Sequence, residues 1–233
     1  MTHTHDTFPT RPSLPPMPPQ IAGLPVHRAF PVPWFVAWFD GVPDFRVVDA
    51  QKVAQAVRQK RCMVCGGKLG REFAFPLGPM CAINRVSAEP PSHVECVDWS
   101  ARACPFLSRP GMIRRKGGEP EGYQDAAGQG IERNPGVALV WVTTTYKPEE
   151  VGNGYLYFAG NPLRVLAYRE GRRATDAEVT EAIASGFPQL YEAARSEGQG
   201  ALDELRRMLG NAAVVLRLNS RALELACMQR VLA

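Results

Sequence analysis

The chain has 233 residues, 45% of them hydrophobic and 21% charged, with a formal net charge of +4 and six cysteines. That balance suits one large or two small globular domains and excludes a fibrous or wholly disordered chain. No apolar run approaches the ~20 residues of a membrane span, and Met1 to Gln20 lack a basic region followed by an apolar one, so a cytoplasmic protein with no membrane partner is expected.

Residues 1–25 read as a flexible Pro-rich tail, with the run from Pro15 to Pro19 favouring extended polyproline geometry. Trp34 to Phe39 reads as a buried strand, Asp40-Gly41 as a turn and Phe45 to Val48 as the return strand. Asp49 suits the N-cap of a helix that carries Val53, Ala56 and Val57 on its apolar side and ends near Lys60. Phe73 to Leu77 and Met80 to Ile83, split by Gly78-Pro79, read as a β-hairpin. Residues 108–135 form a long polar, Gly-rich connection without periodicity, the expected internal boundary. Beyond it, Val137–Tyr146, Tyr155–Phe158 and Leu163–Tyr168 read as antiparallel strands with short links. Thr175 and Glu178 form a capping box for a helix that Gly186 is expected to close, and Pro188 can start another. Ala201–Leu209, stopped by Gly210, and a long stretch within Ala212–Leu232 are also helical in pattern. The expected organisation is the tail (1–25), a metal-binding half with a strand-helix lead (26–107), the loop (108–135) and an antiparallel sheet with helices (136–233).

Cys62-Met63-Val64-Cys65-Gly66-Gly67 has the form of a zinc knuckle: two thiolates at i and i+3 face one metal if the backbone turns tightly, and the glycines permit that turn. Downstream, Ser92 and Glu95 fit a capping box that opens a helix, putting His93 and Cys96 on one face of its first turn. The expected ligands of one structural Zn²⁺ are therefore Cys62, Cys65, His93 and Cys96. Cys81 could replace His93, and Cys104 is a further alternative, although both also read as small buried hydrophobes. Cys227 reads as core.

A knuckle, a hairpin and two ligands from a helix start resemble the treble-clef zinc finger. The resemblance spans residues 62–106 and implies an α+β protein, the finger packed with a small antiparallel β-sheet and C-terminal helices. Segments such as PVPWFV, GPMCAINR and ACPFL resemble stretches of uncharacterised bacterial and phage proteins, a likeness that implies no activity.

Catalytic patterns are weak. His93-Val94-Glu95 matches the H-x-E of zinc deaminases, but their P-C-x-x-C must lie downstream, and here the C-x-x-C lies upstream. An HNH-type nuclease needs a catalytic His on the hairpin, and Arg71 to Asn84 contain none. Charge is more informative. Between Arg58 and Lys116 lie eleven basic and four acidic side chains, a local excess of +7 that leaves −3 for the rest. Arg109, Arg114, Arg115 and Lys116 are the expected phosphate contacts of a nucleic-acid-binding surface. A protein-partner or adaptor role, and an enzyme with its site at the long loop, are the alternatives.

Overall fold

The computed structural model describes residues 15–113, 117, 134, 136–152 and 154–233. The elements run α1 (Pro19–Ala22), β1 (Val26–His27), β2 (Phe30–Pro31), β3 (Val36–Phe39), β4 (Val42–Val48) and α2 (Ala50–Gln59). They continue with β5 (Phe73–Leu77), α3 (Pro79–Asn84), β6 (Val86–Ser87), α4 (Val94–Ala103) and α5 (Pro105–Ser108). After the central connection come β7 (Ala138–Thr143), β8 (Tyr146–Val151), β9 (Gly154–Ala159), β10 (Pro162–Arg169) and β11 (Arg172–Arg173). Three helices end the chain: α6 (Asp176–Glu197), α7 (Gln199–Leu216) and α8 (Ser220–Leu232). The fold is mixed α and β, with small antiparallel sheets and C-terminal helices.

The central sheet has the order β11-β10-β7-β5. β7 is buried along its whole length, because both of its faces are covered. Leu139 and Trp141 join Phe75, Leu77, Ile183 and Phe187 in the larger cluster, the side on which α3, α6 and α7 pack. Val140 and Val142 join Ala74, Val97 and Ala101 on the other side, against α4. This two-sided burial explains the unbroken apolar run Val137–Val142. β5 pairs with β7 with Phe75 opposite Trp141, so the sheet joins residues on either side of the central connection.

The second sheet, β6-β9-β8, is only partly legible in the sequence: β8 is polar and exposed along most of its length. The expected hairpin over Phe73–Ile83 is a strand followed by a helix instead. Pro79 occupies the first helical position behind an extended Gly78, where its fixed φ favours a helix start. The helix ends expected at Gly186 and Gly210 are also corrected. α6 runs through Gly186 and Pro188, and α7 runs through Gly210. An interior Pro costs about 3 kcal/mol and a Gly about 1. Burial of Ile183 and Phe187 in α6, and of Leu205 and Leu209 in α7, offsets that cost, at roughly 1.5–3 kcal/mol for each large side chain.

The N-terminal lead docks on this body. Ile21 is buried, and Trp99 Nε1 donates to the Pro15 carbonyl at 3.2 Å. Strand composition predicts a buried β3–β4 ribbon, yet it is buried only in part. Val36 and Val47 are covered, while Trp38 (42%), Phe39 (39%) and Phe45 (45%) are exposed. No described helix is long and apolar enough to cross a membrane.

Candidate metal centre

Asp49 caps α2 by accepting the Gln51 and Lys52 amides, and Lys60 ends it in the left-handed region at φ 51°. The chain then reverses around the knuckle. Cys62 N donates to Gly67 O and Gly66 N to Cys62 O, each at 2.8 Å. Gly66 takes φ +74°, and a Cβ there would meet the Trp34 ring at 2.7–3.0 Å. The Trp34 main chain is tied to the same knuckle, its amide donating to Val64 O at 2.7 Å. The strand-helix lead thus closes over the knuckle.

The second pair of ligand residues is set by the sheet. Ser92 and Ala74 exchange two backbone hydrogen bonds, of 2.8 and 2.9 Å, which fixes the start of α4 against the edge of β5 that β7 does not occupy. His93 is the N-cap of α4 and Cys96 lies in its first turn. The expected Ser92–Glu95 box does not form: His93 occupies the cap position, and no side chain caps it.

The ligand atoms of Cys62, Cys65, His93 and Cys96 all lie within 4.8 Å of one another. A tetrahedral zinc with bonds of about 2.3 Å to sulfur and 2.0 Å to nitrogen separates its ligands by roughly 3.5–3.8 Å, so the group is the right size for one ion. His93 Nε2 lies 3.0 Å from Lys68 O. A carbonyl can only accept, so Nε2 carries the proton and Nδ1 offers its lone pair. That Nδ1 stands 3.3 Å from Cys65 Sγ and 3.9 Å from Cys96 Sγ. A ring nitrogen held by a backbone carbonyl while the other faces the ligand cluster is the usual outer shell of a metal-binding histidine.

The electrostatics agree. The Cys65 and His93 amides donate to Cys62 Sγ at 3.5 and 3.4 Å. Donation by Cys65, with Cys96, holds Cys62 well below the usual thiol range. The same pairing with Cys62 pushes Cys65 and Cys96 up, with burial adding to both. Thiolates packed this closely repel one another, and a cation between them would relieve that repulsion. Ser92 Oγ is buried without a hydrogen-bond partner among the described residues, and it lies where it favours the Cys62 thiolate. These features make the group fit a metal ion.

Cys81, in α3, and Cys104, between α4 and α5, stand apart from the group; burial pushes both thiols up. Cys227 is fully buried. Of the expected phosphate contacts, Arg109 is half-buried at the end of α5, and Arg114, Arg115 and Lys116 lie outside the described residues. Sequence reasoning missed the Lys68 carbonyl and the Ser92 hydroxyl, since backbone acceptors leave no residue-type signal and Ser92 reads as a cap.

Compared with known proteins, the chain matches no family model, and no curated protein or solved structure matches it either, so the likeness to bacterial and phage proteins has no support there.

Proposed function

We propose that the chain is a zinc-stabilised, non-catalytic binding protein whose ligand is nucleic acid, with Cys62, Cys65, His93 and Cys96 holding one structural Zn²⁺ in a treble-clef-like knuckle and helix start. The observation that carries the metal is the convergence of four ligand atoms within 4.8 Å, with His93 Nε2 tied to Lys68 O. Four protein ligands leave no position for a reactive water, which makes the ion structural. The nucleic-acid part rests on the +7 excess between Arg58 and Lys116, around the metal group.

The purified protein is expected to carry one zinc per chain by elemental analysis. Cys62→Ser or Cys96→Ser should lose the ion and lower the melting temperature, because structural zinc contributes folding free energy. Full zinc content and unchanged melting in Cys62→Ser would refute the site. The ligand is tested by titrating labelled oligonucleotides at two salt concentrations, where affinity should fall as salt rises.

One observation favours a second reading. Trp38, Phe39 and Phe45 on the β3–β4 ribbon are each exposed, and large aromatics of this kind are enriched where a protein partner docks. Partner binding there would lack the steep salt dependence.

A further inference from the structure

The basic residues that flank the knuckle are separated along the chain, but the fold gathers them. Arg61 and Lys68 face each other in an isolated antiparallel bridge, and Leu69 N donates to Lys60 O at 2.8 Å. Residues opposed in such a bridge have Cα atoms about 4.5–5.5 Å apart. Lys60, Arg61 and Lys68 therefore stand side by side on the two legs of the knuckle. Arg58 lies in the last turn of α2, two residues before Lys60, and Arg71 follows Lys68 by three. Arg58, Lys60, Lys68 and Arg71 are all exposed.

Among the described residues, no ion pair involves Arg58, Lys60, Lys68 or Arg71. Glu72, the nearest acid in sequence, is already held by Arg164 through two hydrogen bonds of 3.2 and 2.7 Å. By contrast, the arginines of α6 and α7 include Arg195, Arg206 and Arg207, each paired with an acid three residues away. Arg61 braces the rim, its guanidinium donating to Gly66 O at 2.9 Å and to Gln59 Oε1 at 2.7 Å.

The rim is also tied to the metal group. The Lys68 carbonyl accepts the His93 Nε2 proton, so the ligand that closes the metal site also fixes the backbone of Lys68. From this geometry we infer that the knuckle rim, Arg58, Lys60, Lys68 and Arg71 braced by Arg61, is the surface that holds nucleic-acid phosphates, and that metal occupancy sets its shape. This rests on the nucleic-acid reading and moves its contact surface from the stretch 109–116 to the knuckle itself. Basic side chains outside ion pairs need break none to engage a phosphate, and each such engagement releases condensed counterions.

The test uses the full chain and labelled single- and double-stranded oligonucleotides over a range of salt. The rim variant is Lys60→Ala with Lys68→Ala and Arg71→Ala. Its control removes the same number of charges elsewhere: Arg195→Ala with Arg206→Ala and Arg221→Ala. Zinc content and melting temperature of both establish that they fold. The rim variant is expected to bind duplex more weakly, with a salt slope lower by about 0.9 for each phosphate it no longer holds, so by roughly 3. The control should keep the wild-type slope. Adding a strong chelator to the wild type should weaken binding as well. Wild-type binding that the rim variant leaves unchanged, or that the control weakens equally, overturns the rim while leaving the nucleic-acid reading intact. Absence of wild-type binding at low salt overturns both. Binding to phosphatidylserine vesicles but not to oligonucleotides also overturns both, since the phosphate source would then be a lipid surface.

Discussion

Replacing Gly66 by alanine tests the knuckle at its tightest point. Two separate penalties apply. At φ +74° a residue with a Cβ carries the left-handed cost, roughly 1–2 kcal/mol. The new methyl would also meet three Trp34 ring atoms at 2.7, 2.8 and 3.0 Å. The contact includes Cγ, the ring atom bonded to Cβ, and the Trp34 amide is bonded to Val64 O inside the same knuckle, so the backbone of Trp34 cannot move off without breaking that bond. Overpacking of this kind typically costs about 1–3 kcal/mol. Gly66→Ala is therefore expected to lower stability by about 2–5 kcal/mol in denaturant unfolding of the zinc-loaded protein. A double-mutant cycle separates the two parts. In a Trp34→Ala background the clash disappears while the backbone cost stays, so a coupling of about 1–3 kcal/mol between the two sites is expected. Strictly additive effects would mean that Trp34 does not shape the knuckle, and a Gly66→Ala protein as stable as wild type would refute the reasoning altogether.

Ser92→Ala discriminates between two states of one buried hydroxyl. If Ser92 Oγ donates to a metal-bound Cys62 thiolate, its removal should weaken zinc retention against a competing chelator by about 10–100-fold; if it is a true orphan, removing it should stabilise the protein instead. Burial raises the phenols of Tyr146, Tyr157 and Tyr168 above their ordinary value of 10.0, and for Tyr168 the hydrogen bond to Asp98 adds to the shift. A raised pKa means that the folded chain keeps a proton the unfolded chain has released, so their contribution is complete below pH 10 and falls as the pH climbs past it. Unfolding followed by circular dichroism should therefore coincide with the late rise in tyrosinate absorbance, and titration of these phenols near pH 10 in an intact fold would contradict the burial.

The grouping of Cys62, Cys65, His93 and Cys96 was legible because metal chemistry restricts residue type and spacing together. Cys62 with Cys65, and His93 with Cys96, each carry that restriction locally. Local hydrogen-bonding signals were also readable: Asp49 caps α2, and Thr175 and Glu178 form the capping box of α6. What escaped was set by packing at a distance. Gly186, Pro188 and Gly210 are unfavourable for helices taken alone, and only the burial of their neighbours reveals why the helices continue. Gly78-Pro79 serves equally well as a turn or as a helix start, and the choice depends on α3 finding α6 and α7. Ser92 fits a cap by spacing but is drawn into backbone pairing with Ala74, which leaves the cap to His93. Trp38, Phe39 and Phe45 have strand composition, which says nothing about whether another layer covers them.

The placement of β5 between Ser92 and β7 bears on the order in which the chain assembles. A ribosome completes Cys62, β5, Ser92 and Cys96 well before it reaches β7. Closing the short loop between the two halves of the metal site costs little chain entropy compared with bringing β5 to a strand beyond the central connection. A metal ion held by the proposed group would seal the knuckle early and, through the Ala74–Ser92 bonds, hold β5 straight while its other edge still waits for β7. When β7 emerges, it meets a template already made. On the proposed metal site, the ion would act as a scaffold for synthesis, and a chain deprived of it would have to find the slow, long-range Phe75–Trp141 register with neither edge of β5 prepared.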